Sequence, residues 1–171
     1  MGSSVNIALP SIDREFSLDA VSLGWVATAY ILAAAVFLLP FGRLADIKGR
    51  RRLFITGLAL SSLISIAIGL SQSGPHLILL RAAQGISAAM LFGTGVAILT
   101  SVFPPAERGR VLGLNAAAVY IGLSLGPTAG GLLTSAFGWR SIFFLTAAIA
   151  LTALYFISTR LKTEWQEASG E

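Results

Sequence analysis

The run Gly113-Leu-Asn-Ala-Ala-Ala-Val-Tyr-Ile-Gly122-Leu-Ser-Leu-Gly126-Pro127-Thr-Ala-Gly130-Gly131 reads as a membrane helix. Spaced glycines, a Gly-Pro pair and a Gly-Gly pair interrupt an otherwise apolar stretch. In a soluble helix each interior Gly would cost about 0.5–1 kcal/mol and an interior Pro about 3 kcal/mol. In a bilayer the balance reverses. Small residues let neighbouring helices touch, and surrounding protein satisfies the backbone groups that a Pro releases. A stripe this dense predicts a close-packed helix interface that has to move.

Composition extends that reading to the whole chain. Of 171 residues 55% are hydrophobic and only 12% charged, with no Cys. Soluble domains carry about 25% charged residues, so the chain is expected to be an all-α integral membrane protein. At roughly 20 residues per span, its length holds about six helices. Disulfide and thiol chemistry are excluded, and no His/Cys/Asp/Glu grouping suggests a metal. The formal charge of +4 does not point to nucleic acid, because the basic residues sit in short loops between apolar runs.

Five full spans are expected, at 21–44, 53–70, 76–100, 111–136 and 141–158. Between them lie a basic cluster (Arg43, Asp46, Lys48, Arg50, Arg51, Arg52), a turn at 72–75, a charged loop at 104–110 and a tight turn at 137–140. Residues 11–20 read as a polar loop in which Asp19 caps the next helix. The opening segment 1–10 is apolar but too short to cross a bilayer. It has neither the basic start nor the cleavage site of a signal peptide, and Asn6 stands where a myristoylation signal needs Ser or Thr. It is therefore read as the outer half of a first helix whose other half is missing. Residues 1–160 would form one six-helix domain, with 161–171 beginning a cytoplasmic linker.

If the spans alternate, Arg43, Lys48, Arg50, Arg51, Arg52, Arg108, Arg110, Arg160 and Lys162 share one side, and only Arg14 and Arg140 face the other. The positive-inside rule makes the Arg-rich loops cytoplasmic and the chain a multi-pass protein of the cell membrane. Trp25, Trp139 and Trp165 fall near span ends, where amphipathic rings favour the headgroup layer. An internal echo is also present: Gly42, Leu44, Gly49, Arg51 and Phe54 recur at the same offsets as Gly131, Leu133, Gly138, Arg140 and Phe143. One set lies on the inner side and the other on the outer side, as an inverted three-plus-three repeat would place them.

Three motifs then resemble those of the major facilitator superfamily. Gly42-Arg-Leu-Ala-Asp46-Ile-Lys-Gly49-Arg50-Arg51-Arg-Leu-Phe54 is similar to its loop between helices two and three. Leu77-Ile-Leu-Leu-Arg81-Ala-Ala-Gln84-Gly85 resembles its fourth-helix motif, and Gly113–Gly131 its antiporter-type fifth helix. Val5-Asn6-Ile-Ala-Leu-Pro10 looks like the first helix of the fourteen-helix drug:proton antiporter branch. The resemblance implies the N-terminal six-helix half of a transporter that works by alternating access against a C-terminal six-helix half. It implies proton-coupled export of drugs or other hydrophobic, amphipathic small molecules, without a cofactor and without enzymatic chemistry. A metabolite transporter of the same superfamily and a non-transporting truncated membrane protein stay open.

The residues carry physical readings beside that resemblance. Asp46 can pair with Arg50 or another Arg and latch a gate with Gly42, Gly49 and Arg51, or the cluster can be a plain positive-inside anchor. Arg81 is the one charge deep in a predicted span; with Gln84 at i+3 and Gly85 it can line a cavity and couple transport, or it can snorkel outward. Gly113, Gly122, Gly126, Pro127, Gly130 and Gly131 serve packing, bending or both. Asn6, Tyr30 and Asn115 are either substrate contacts or interhelical hydrogen-bond partners, and His76 sits at an outer helix end. Gly122-Leu-Ser124-Leu-Gly126 spells the hydrolase elbow but lacks its strand-turn-helix setting. One departure matters: the branch often carries an acid in helix one at the position of Met1. No Asp or Glu lies deep in any predicted span, so the proton carrier is not identified in this segment.

Overall fold

Each apolar run expected to span is helical. The computed structural model describes residues 2–160 as six helices: α1 (Gly2–Phe16), α2 (Ala20–Lys48), α3 (Arg50–Gly69), α4 (Gly74–Val102), α5 (Pro105–Phe137) and α6 (Arg140–Arg160). No strand occurs among the described residues, and α2 through α6 are long and apolar enough to cross a membrane. The proposed linker at 161–171, with Lys162 and Trp165, lies outside the described residues, as does Met1.

Three loops are shorter than the sequence suggests. Residues 11–16 are helical, because Val5, Ala8 and Ile12 form a buried stripe at helical spacing that runs through Pro10. Their polar residues occupy the other faces. The basic cluster is almost entirely helix: α2 continues to Lys48, and Gly49 alone separates it from α3. Glu107 to Arg110 likewise belong to α5, where Pro105 supplies a pre-set φ at the helix start and Glu107 complements the dipole. The Asp19 cap is present, its carboxylate accepting from the Ser22 N–H at 3.4 Å.

Helix α4 is the axis of the bundle. It carries a row of small residues, Gly85, Ala89 and Gly93, each buried or half-buried. A Cβ on Gly85 would lie 2.3 Å from the Tyr30 carbonyl oxygen, and one on Gly93 would lie 3.4 Å from that of Leu38, so α2 and α4 cross backbone to backbone. Helix α2 packs mainly on α4, α1 on α5, and α3 on both α4 and α6. Exchanging the halves α1–α3 and α4–α6 turns the α2–α4 contact into α5–α1, as an inverted repeat requires. The main core lies at the Glu15 end, where Ile12, Val26, Ile68, Leu77 and Phe143 are buried together. Ala45, Leu53 and Met90 form a smaller core at the Arg50 end.

Candidate functional site

Arg81 is 2% exposed, so it does not snorkel. Its Nε donates to the Val26 carbonyl at 2.9 Å, and a terminal nitrogen donates to Gln84 Oε1. Gln84 Nε2 in turn donates to Ser65 Oγ at 2.9 Å. The guanidinium lies 4.4 Å from the Tyr30 ring centroid and 6.0 Å from that of Phe143. One side chain thereby joins α2, α4, α6 and, through Gln84, α3. A charged residue at a span centre costs about 2.5–3.5 kcal/mol on insertion scales. Hydrogen bonds to a charged group contribute about 1.5–3 kcal/mol each, and a desolvated cation–π contact about 2 kcal/mol. Neutral partners therefore suffice to hold this cation, and none of those described here is a carboxylate.

Tyr30 and Gln84, with Ser61, Ala88, Leu91 and Phe92, border a cavity of about 160 Å³ beside this network. That is room for several waters at about 30 Å³ each. The i+3 spacing of Arg81 and Gln84 could be read from the sequence. The contributions of Ser65 and the Val26 carbonyl could not, because both come from other helices.

At the opposite end of α2, Asp46 and Arg50 face each other across Gly49. Arg50 donates to Asp46 Oδ1 at 2.8 and 3.1 Å, and reaches the Ala97 carbonyl on α4 at 3.5 Å. The pair thus spans the α2–α3 junction and touches α4. Gly42 lies on α2 against Gly93 of α4, whose Cβ would stand 3.4 Å from the Gly42 backbone nitrogen, a looser approach than that at Gly85.

The α5 glycines divide into two groups. Gly130 is buried against Ser4, 2.8 Å from where its Cβ would stand, and Ser4 Oγ donates to the Gly126 carbonyl at 2.8 Å. Ile7 approaches Gly131. At Gly113 and Gly122 an added Cβ would meet nothing within 4 Å among the described residues, so the close-packed interface read from the stripe is confined to its Gly126–Gly131 part. Pro127 lies inside α5 next to that contact. Asn6, Asn115 and His76 are exposed, and Tyr30 is half-buried under Arg81. Ser124 is exposed in mid-helix and has no elbow geometry.

A second polar cluster, which the sequence did not announce, closes the Glu15 end. Glu15 Oε2 accepts from Trp139 Nε1 at 2.8 Å and from Arg140 at 2.6 Å, while Arg140 also donates to the Ser71 carbonyl at 2.9 Å. Arg140 lies 4.4 Å over the Trp139 ring. Trp139 is 3% exposed, a core residue rather than a headgroup anchor. The Arg140 guanidinium holds the Glu15 carboxyl below its ordinary range; burial opposes this, and the Trp139 N–H adds to it.

The family model described as Major Facilitator Superfamily matches residues 1–171. The chain is 42% identical over 152 residues to the multidrug resistance protein Stp of Mycobacterium tuberculosis, covering 88% of this chain and 28% of that protein. It is 36% identical over 154 residues to the riboflavin transporter RibZ of Clostridioides difficile, covering 90% of this chain and 34% of that protein. The chain thus spans about a third or less of the length of these curated relatives. A crystal structure of a bacterial homologue of the human lysosomal transporter Spinster superposes with a TM-score of 0.72 at 19% identity, over 99% of this chain and 42% of that one.

Proposed function

The chain belongs to the major facilitator superfamily, and from that premise we propose that it supplies the N-terminal six-helix half of a proton-coupled exporter of drugs or other hydrophobic, amphipathic compounds. A C-terminal six-helix half completes the cavity, and the two rock about it to give alternating access. The Arg-rich ends face the cytoplasm of a cell membrane. Transport involves no chemical conversion of the substrate and no cofactor.

One observation carries the reading: a guanidinium buried among neutral partners, beside a cavity, in a chain 42% identical to a multidrug resistance protein. Such an arrangement is poised to exchange partners when a proton or substrate arrives. Arg81, Gln84 and Gly85 form the coupling region in this reading, with Tyr30, Asn6 and Asn115 as substrate contacts. Asp46 and Arg50, with Gly42, Gly49 and Arg51, form the gate on the cytoplasmic side. Gly113, Gly122, Gly126, Pro127, Gly130 and Gly131 form the moving face of α5. The similarity to a riboflavin transporter favours a second reading, a carrier of a flat aromatic metabolite.

The test is efflux of a cationic dye from drug-sensitive cells expressing the complete reading frame, beside an Arg81→Ala variant and a riboflavin transport assay. Efflux that collapses with an uncoupler and is lost in the variant supports proton-coupled export. Riboflavin movement without dye efflux selects the second reading. Neither activity, despite good membrane expression, rejects both.

A further inference from the structure

A larger crevice adjoins the cavity beside the Arg81 network, sharing Leu91 and Phe92 with it but none of the residues of the network itself. It holds about 450 Å³ between α3, α4, α5 and α6 towards the Arg50 end. Phe54, Leu91, Leu99, Val119 and Ile157 make its walls apolar. Among the described residues its one charged lining residue is Arg51, the second residue of α3, so a guanidinium stands at the end of an apolar slot. Asn115 is the one uncharged polar residue among those described in the wall.

The shape of the site limits what it takes. A compact polar metabolite would leave its hydrogen-bonding groups desolvated and unpaired along most of the slot, which disfavours it. A cationic amphiphile would bring like charge to Arg51. An anionic amphiphile with a long apolar body satisfies both ends. Depth agrees with this: the eight residues from Leu99 to Leu91 rise about 12 Å along α4. One leaflet of a hydrocarbon core is about 15 Å thick, half of roughly 30 Å. The walls belong to helices long and apolar enough to cross a membrane. Arg recognises phosphate through parallel N–H donors.

We propose that this crevice is a binding site for an anionic phospholipid, one acyl chain lying between α3, α4, α5 and α6 and the phosphate on Arg51. The site does not depend on the transport reading, and its test needs no transport.

The whole chain, purified in a mild detergent, is offered equal amounts of phosphatidylglycerol and phosphatidylcholine with the same acyl chains, and bound lipid is counted by native mass spectrometry. Phosphatidylglycerol is expected to be retained several-fold over phosphatidylcholine, and excess inorganic phosphate should not displace it. Arg51→Gln should bring the two lipids to parity. Gly95→Leu fills the slot at constant charge, since a Cβ there meets only the Phe54 ring at 3.8 Å, and it should reduce retention of both. Arg52→Gln alters a residue that lines a different crevice, with Ile47 and Lys48, and should leave the preference intact. Circular dichroism checks that each variant keeps its helices. Parity in the unaltered chain, equal loss from the Arg51 and Arg52 variants, displacement by free phosphate, or retention of a cationic dye in place of lipid would each overturn the assignment.

Discussion

Gly49 and Gly138 hold equivalent places in the two halves of the bundle, and both have positive φ, 99° and 79°. Each follows a long helix, and each donates its N–H at 3.0 Å to the carbonyl four residues back, Ala45 for one and Thr134 for the other. The next helix begins one residue after Gly49 and two after Gly138. Both turns reverse the chain at once, and both are followed by arginines that make ion pairs: Arg50 with Asp46, and Arg140 with Glu15. The sequence echo is thus an echo of conformation, one copy at each end of the bundle.

A side chain at either glycine is strained whatever space surrounds it. Their ψ values of 127° and 163° put them outside the left-handed helical well, where a non-Gly residue costs about 1–3 kcal/mol. Gly138→Ala should therefore destabilise the chain by about that amount in detergent-mixture unfolding followed by circular dichroism. Gly109→Ala is the contrast: it lies within α5 with open space around it, and should stabilise by about 0.5–1 kcal/mol. Equal effects of the two would mean that the turn geometry is not a constraint.

Gly85 carries a different constraint. It is regular helix, but a Cβ would stand 2.3 Å from the Tyr30 carbonyl oxygen and 2.9 Å from the Ala33 Cβ. Both neighbours are fixed on α2, so the helices must separate. Gly85→Ala is expected to cost about 1–3 kcal/mol by overpacking and to loosen the Arg81–Val26 bond across the same interface. Thermal unfolding measures the first effect, and hydrogen exchange along α2 the second.

The spans, the Asp19 cap, the repeat and the pairing of Arg81 with Gln84 were legible because each depends on residues close in sequence. The clasp of Glu15 on Trp139 was not, because its partners come from the far ends of the chain. Residues 11–16 read as loop because Asp13, Arg14 and Glu15 dominate the composition, whereas the helix is held by the single face of Val5, Ala8 and Ile12. The tightest helix crossing is at Gly85, Ala89 and Gly93, a four-residue spacing visible in the sequence but less dense than the stripe on α5. Density of glycine records where approach is permitted. A partner decides where it happens, and at Gly113 and Gly122 none of the described residues provides one.

The clasp has a pH signature. Arg140 holds the Glu15 carboxyl below its ordinary value of 4.5. A folded-state value depressed in this way makes the contribution complete above 4.5, and lost as pH falls through the lower folded value. With Trp25 and Trp165 replaced by Phe, the emission of Trp139 should stay constant down to about the ordinary carboxyl range and change below it. Glu15→Gln should abolish that transition; an unchanged transition would assign it to another group.

The Asp46–Arg50 pair separates stability from function. It is an i,i+4 pair with the Asp46 side chain 44% exposed, and such pairs contribute about 0.3–0.5 kcal/mol. Asp46→Asn should thus shift unfolding by no more than about 0.5 kcal/mol. Under the gating reading, the same change frees α2 from α3 at the moving end, and initial export rates in membrane vesicles should fall at least several-fold. Exchanging the two residues would restore the ion pair but not the Arg50 contact to the Ala97 carbonyl, so recovery should be partial. Full activity of Asp46→Asn would reduce the pair to a surface anchor, because a latch that can be removed without altering rate latches nothing.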